Sequence, residues 1–468
     1  MNSLLKTLPA VDRILSWPEI KNLILQYGLP LTKFAIKSSL QTYRKNIHAG
    51  GKAPGVEDIT AEVEEVVKRI GSYSLKPVLN GTGIVLHTNL GRAPLGDHLF
   101  EDIKEVLTGY NNLEFDLETA KRGDRYHHAS KIIKFITGAE DILIVNNNAA
   151  ALLFILTVFA KNRECIVSRG ELVEIGGSFR LPEVIEVSGS IIKEVGTTNK
   201  TKISDYSNAI TDSTAALLKV HKSNFVIKGF TQECSMEEVV QLGKKHHILT
   251  IFDAGSGLIK KCNYAPLKEE PTVREAIESG VDLVCFSADK LFGACQAGII
   301  AGKSKYLKAL KKHPMLRALR VCKTTIAILE ASSLYYLRDE TLYTKNPLYN
   351  TLHREASQIK ALANSISEGL SSHGIDNKVI SSHGQFGGGA MPDTTIESFS
   401  VVLTLTREQK VAQFAKRVHL ALLQTHKPLL ANLIKGEVHI NMLCIKESER
   451  ESVVDIVVNA LHALSLKK

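Results

Sequence analysis

No two cysteines of this 468-residue chain stand at the spacing of a metal knuckle or a redox pair. Cys165, Cys234, Cys262, Cys285, Cys295, Cys322 and Cys444 are odd in number and scattered. That pattern excludes a disulfide scaffold and a C-x-x-C zinc site, and it fits a reducing cytoplasm. The opening Met1 to Asp12 lacks a basic segment followed by an apolar stretch, and the longest apolar run, 149–160 with Thr157 inside it, is too short for a bilayer. Neither an export signal nor a membrane helix is expected. Repeats and low-complexity tracts are also missing. What remains is a chain with 44% hydrophobic residues, able to bury a large core and long enough for two or three domains.

Acidic residues are missing from one stretch in particular. Between Lys33 and Lys52 stand Lys33, Lys37, Arg44, Lys45 and Lys52 and no Asp or Glu, in a chain whose formal charge is +9. A positive field attracts polyanions, although taken alone such a run is more often a solvated helix face.

The first 70 residues read as a helical module. Ile14, Ile20, Leu23, Ile24, Leu29, Phe34 and Leu40 recur at near-helical spacing, and Pro18, Pro30 and the glycine-proline stretch 50–55 break them. A last helix, Val56 to Ile70, has acids at its start and Lys68-Arg69 at its end, as the helix dipole favours. Residues 71–95 are glycine-rich and read as a linker. Residues 96–334 read as a large α/β domain in which β-branched runs alternate with helical stretches: 142–145, 165–167, 191–195, 215–220, 248–252, 281–286 and 297–301. That alternation predicts a mostly parallel sheet with helices on both faces and a ligand at the strands' carboxyl ends. Residues 335–468 read as a smaller α+β domain, with a glycine-rich loop at 384–389 and strands at 398–405 and 437–444.

Two strand ends carry the chemistry. The run 281–286 delivers Lys290, and the run 248–252 delivers Asp253, 37 positions earlier. Pyridoxal phosphate requires that pair, an amine for its aldehyde and an anion for its pyridinium nitrogen. Desolvation and nearby cations would supply the neutral amine. An isolated lysine or aspartate after a strand is commonplace, but the two in this order fit one cofactor. Asn146, Asn147 and Asn148 end a strand and open a helix, where backbone N–H groups hold phosphate well, though asparagine also simply caps helices. Ser287 offers a further phosphate contact, and His221 follows another strand, as a ring contact or a satisfied core histidine. Arg92, Arg125, Arg317 and Arg320 are candidates for an anionic substrate; the last two, three apart, are expected on one helix face.

Several stretches together resemble bacterial selenocysteine synthase, the L-seryl-tRNA(Sec) selenium transferase family. They are Leu8 to Arg13, Asn80 to Ala93, Ile144 to Ala151, Ser168 to Gly177, Glu194 to Asn199, and Lys290 with its neighbours. Two places depart from the family pattern: Ala288 where glycine is usual, and Ala294-Cys295 where Gly-Pro is usual. The resemblance implies a fold-type-I pyridoxal-phosphate transferase with an added N-terminal tRNA-binding domain, assembled as a ring of dimers, a decamer. It implies conversion of seryl-tRNA(Sec) to selenocysteinyl-tRNA(Sec) by β-elimination of water and addition of selenium from selenophosphate to an aminoacrylyl group. Lys290 then acts as base and Asp253 keeps the ring nitrogen protonated. An esterified amino acid has no free carboxylate, so the four arginines are assigned to phosphate, and the Lys33 to Lys52 face to tRNA. Thr197, Thr198 and Asp205 are implied at a subunit contact. The rival readings are a lyase for a small phosphorylated or acidic amino acid, which would have no need of the helical module, and a tRNA binder without catalysis, which would have no need of Lys290.

Overall fold

In the computed structural model, residues 2–175, 179–261, 267, 270–404 and 411–465 are described; Cys262, Leu405 and the Gly176-Gly177 pair of the family-like stretch lie outside them. The chain divides into two compact units, Met1–Pro77 and Val78–Lys468.

The first unit is helical: Asn2–Leu5, Val11–Leu15, Pro18–Tyr27, Leu29–His48 and Val56–Gly71. Pro18 and Pro30 each sit in the first turn of a helix, where the missing N–H costs nothing. Ile14, Ile20, Ala35, Ile36, Leu40, Ile59, Val63 and Val67 close a small core of their own. Tyr43 ties the two longest helices by donating to the Asp58 carbonyl at 2.9 Å. The periodicity misplaced two residues: Leu29 and Phe34 are about half exposed, because Ala35 and Ile36 take the buried face instead. Lys33, Lys37, Arg44, Lys45 and Lys52 are all exposed. On Leu29–His48, Lys33, Lys37 and Arg44 fall within about 40° of one another around the axis.

The second unit is built on a seven-stranded sheet. Its strands are β1 (Asp141–Val145), β2 (Glu164–Ser168), β3 (Ile191–Val195), β4 (Thr214–Val220), β5 (Leu249–Gly255), β6 (Leu283–Ser287) and β7 (Gly298–Gly302). They lie in the order β1-β7-β6-β5-β4-β2-β3. All pairings are parallel except those of β7, which runs antiparallel to both β6 and β1. The seven apolar runs read from the sequence are these seven strands, displaced by at most two residues at their starts and by up to three at their ends. β1 and β6 are buried along nearly their whole length, as strands covered on both faces must be. Each fully buried Ile, Leu, Val or Phe there contributes about 2 kcal/mol of apolar transfer.

A second sheet joins the strand Leu79–Gly81 to β8 (Asn377–Gly387), β9 (Ala390–Leu403), β10 (Leu429–Ile434) and β11 (Glu437–Asn441), in the order Leu79–Gly81, β10, β11, β9, β8. Two sequence readings change here. The glycine-rich segment 384–389 is the closing end of the long β8–β9 hairpin rather than a loop, and Gly387, Gly388 and Gly389 supply positive φ at its turn. Of the stretch 71–95, Leu79–Gly81 is a sheet strand, paired in parallel with Leu429–Ala431. Both sheets feed one continuous hydrophobic cluster that runs from Leu79 to Leu464.

Candidate active site

The polar residues at the carboxyl ends of β1, β4, β5 and β6 converge. β5 lies between β4 and β6, so Asp253, His221 and the Ser287 to Lys290 segment are neighbours by topology. The His221 N–H donates to the Asp253 carbonyl at 2.9 Å, and Leu291 N–H donates to the Ser256 carbonyl at 2.9 Å. Behind His221, buried Glu171 accepts from Lys219 Nζ at 2.9 Å and from the Val220 N–H at 2.8 Å, fixing the end of β4. This accounts for one residue of the family-like stretch Ser168 to Gly177.

Asn148 comes from farther away. β1 is three strands from β5, about 14 Å at ordinary strand spacing. The chain leaving β1 therefore crosses the start of β7, where the Asn147 carbonyl passes so close that a Cβ on Gly298 would lie 2.0 Å from its oxygen. The crossing brings Asn148 Nδ2 to 2.7 Å from Asp253 Oδ1, which also accepts from the Gly255 N–H at 3.0 Å. Asn147 caps the helix Asn148–Phe159 by accepting from the Ala150 N–H at 2.8 Å. Asn146 is exposed at the start of this loop.

Lys290 is 4% exposed. Burial pushes its pKa below the ordinary 10.5, and the Arg92 cation adds to the fall while Asp253 opposes it. Burial raises the Asp253 carboxyl, against the Asn148 and Gly255 hydrogen bonds and the charges of Lys290 and His221. Each of the pair thus lies in the other's field. Lys290 rests on a tight turn in which Gly293 N–H donates to the Lys290 carbonyl and Ala294 N–H to the Ala288 carbonyl, both at 2.9 Å. Ala288 keeps φ out of the positive range, so alanine serves where the family pattern has glycine. Burial pushes the Cys295 thiol up to about 12, which keeps it protonated and unreactive.

Several buried polar atoms around these residues have no hydrogen-bond partner among the described residues: Asn148 Oδ1, His221 Nδ1, Arg92 Nε and His87 Nδ1. Orphaned buried donors and acceptors are costly, and a polar heteroaromatic phosphate would use them. With Lys290 and Asp253 alongside, the residues fit pyridoxal phosphate. Ser287 ends β6 directly before the lysine segment, opposite Gly298.

The arginines separate into two places. Arg92, at φ 61°, donates to Asp289 at 2.5 Å, next to Lys290, and lines a cleft of about 1160 Å³ that His87 and Arg354 also line. Arg125, Arg317 and Arg320 line another cavity, of about 350 Å³. Arg320 is not on a helix face with Arg317. The helix Leu316–Leu319 ends before it, and Arg320 turns extended to bridge Val145 at the end of β1. Arg125 has little left to offer a ligand: Nε and Nη2 reach Glu114 Oε1 at 2.8 and 2.5 Å, and Nη1 reaches the Val321 carbonyl at 2.6 Å. It braces Arg320, which approaches the same Glu114 oxygen at 3.5 Å. The sequence reading missed Asp289, although it adjoins the lysine, and Glu114 and Glu270, for which no local signal exists. Glu270 lies 3.6 Å from His221 Nε2 and accepts from Ser256 Oγ.

Residues 78–446 match the family described as L-seryl-tRNA selenium transferase, and residues 5–44 match the selenocysteine synthase N-terminal family. The chain belongs to the L-seryl-tRNA selenium transferase family. It is 40% identical over 456 residues to the L-seryl-tRNA(Sec) selenium transferase of Alkaliphilus oremlandii, covering 96% of each chain. With the enzyme of the same name from Nautilia profundicola it shares 43% identity over 425 residues, 90% of this chain and 91% of that one. Among solved structures, a D-glucosaminate-6-phosphate ammonia-lyase superposes with a TM-score of 0.60 at 21% identity, over 85% of this chain and 99% of that one. That likeness concerns the fold, which is fold type I. Among the described residues no helix is long and apolar enough to cross a membrane.

Proposed function

We propose that the chain converts seryl-tRNA(Sec) to selenocysteinyl-tRNA(Sec) with selenium from selenophosphate, using pyridoxal phosphate. The observation that carries this reading is the buried Lys290–Asp253 pair, in a chain matched along nearly its whole length by selenium transferases. When bound, the cofactor supplies a sink for the electron pair of the seryl Cα–H bond. Lys290 Nζ would hold the cofactor at rest and, as a free amine, would take the seryl α-proton. Burial and the Arg92 cation lower its pKa, which enlarges the share of free amine. Asp253, oriented by Asn148, would hold a proton on the ring nitrogen. The N–H groups that open Asn148–Phe159, with Asn146 and Ser287, would hold the cofactor phosphate, and His221 would contact the ring.

Arg92 guards the entry beside Lys290, where the wide cleft suits the aminoacylated end of a tRNA. Arg317 and Arg320 hold the selenophosphate oxygens, with Arg125 as their brace. The first unit binds tRNA through Lys33, Lys37, Arg44, Lys45 and Lys52. Thr197 and Thr198 are exposed, as a subunit contact requires, whereas Asp205 already accepts from the Lys202 N–H at 2.8 Å. A cytoplasmic homodecamer of five dimers is part of this proposal. The N-terminal unit weighs against a small-molecule lyase.

The test is incubation of the holoenzyme with seryl-tRNA(Sec) and selenophosphate, followed by identification of the esterified amino acid. Selenocysteine is expected with the wild type and serine with Lys290→Ala, whose tRNA binding should persist. Unaltered serine with the wild type, or normal turnover by the variant, overturns the assignment.

A further inference from the structure

The wide cleft that Arg92 lines has a wall that the function above does not use. Tyr343 and His353 both line it, and their rings are stacked, with centroids 4.3 Å apart and planes 11° from parallel. Behind Tyr343 stands the buried ring of Tyr349, at 6.4 Å. His353 is exposed at the outer end of this row, and among the described residues its ring meets no aromatic partner except Tyr343. A row of rings that ends in an exposed one offers a face to a further ring. The row is also fixed to the lysine segment. Tyr349 Oη donates to the Leu291 carbonyl at 3.2 Å. Asn346 caps the helix Pro347–His353 by accepting from the Leu348 N–H at 3.1 Å, and its Nδ2 donates to the Gly293 carbonyl at 3.1 Å. The imidazole is thereby tied to the same short turn that carries Lys290. Its wall attracts phosphate weakly, because Glu447 and Glu449 line the cleft together with Lys446. A neutral flat ring suits it better.

We propose that His353, backed by Tyr343, is a stacking platform for the terminal adenine of the aminoacylated strand, the nucleoside whose ribose carries the seryl ester. This rests on the reading that seryl-tRNA is the substrate. The unpaired end of a tRNA presents open base faces, and stacking one of them on an aromatic side chain is worth about ten-fold in affinity. Phosphate contacts made by the first unit supply attraction for the polyanion and leave its last nucleotide unplaced. A ring held on the lysine turn places that nucleotide, and with it the ester.

The test compares two small esters on the full-length holoenzyme, L-alanyl-adenosine, esterified on its ribose, and L-alanine methyl ester. Neither has a β-hydroxyl, so binding is read from the cofactor absorbance without elimination. The wild type should bind the adenosine ester about ten-fold more tightly than the methyl ester. His353→Ala should abolish that preference by raising the dissociation constant of the adenosine ester alone, a split that a purely structural defect would not give. His353→Phe, which keeps a flat ring, should restore it. Absence of an adenosine preference in the wild type, or a preference that survives His353→Ala, overturns the proposal. Selenocysteine formation from seryl-tRNA(Sec) is scored separately on the wild type. If it occurs without an adenosine preference, only the platform fails; if it does not occur, the substrate reading fails, and a preference lost in His353→Ala still supports the platform.

Discussion

Asn148 donates a 2.7 Å hydrogen bond to Asp253 from the start of a helix that begins three strands away. The bond opposes the rise that burial imposes on the Asp253 carboxyl. Removing it with Asn148→Ala should raise that pKa further and weaken the charged form that a pyridinium needs. A hydrogen bond to a charged group is worth about 1.5–3 kcal/mol. Cofactor affinity should accordingly fall at least about ten-fold, as read by absorbance titration of the apoenzyme. Asp253→Asn should cost more, about a hundred-fold or greater in turnover.

Lys290 and Arg92 are coupled through charge. Burial and the Arg92 cation both disfavour the ammonium form, so the free amine appears at a lower pH than for an ordinary lysine at 10.5. Arg92→Met removes the cation and leaves Asp289 uncompensated. Both changes favour the protonated amine, so its pKa must rise. The rate of cofactor capture by the apoenzyme, followed against pH, should show its midpoint displaced upward in the variant. A midpoint that stays put or moves down contradicts the coupling.

The first unit makes an electrostatic prediction. Replacing Lys33, Lys37 and Arg44 with Gln should weaken seryl-tRNA binding and flatten its dependence on log salt by about two to three. Helicity and cofactor content should remain at wild-type levels, because all three side chains are exposed. Filter binding across a salt series checks this directly.

Gly298 makes a steric prediction. A methyl group there would meet the Asn147 carbonyl oxygen at 2.0 Å, backbone against backbone, with no flexible side chain to yield. Gly298→Ala should lower stability by about 1–3 kcal/mol and weaken cofactor binding as well, since the displaced segment carries Asn148. Thermal denaturation with and without cofactor measures both effects.

Much of this was legible in the amino-acid order because buried parallel strands are near-continuous apolar runs, and the polar residue that ends each run marks the ligand face. Lys290, Asp253 and His221 were readable in that way. What depended on partners distant in the chain was not. Arg125 looks like any loop arginine until Glu114 and the Val321 carbonyl are seen to consume its donors. Arg320 keeps helical spacing from Arg317, yet its backbone is drawn out of the helix to meet Val145. Phe34 fits the apolar period but lies outside the buried arc of its helix.

The parallel pairing of Leu79–Gly81 with Leu429–Ala431 has a consequence for biosynthesis. The segment that follows Gly81 carries His87 and Arg92, and its sheet anchor is synthesised almost 350 residues later. A nascent chain can therefore bury Lys290 in the large sheet and pair Arg92 with Asp289 while the strand ahead of Arg92 still waits for its sheet partner. Premature termination near residue 404 would yield a polypeptide with the reactive amine and the Arg92–Asp289 pair present but the strand Leu79–Gly81 without its sheet partner.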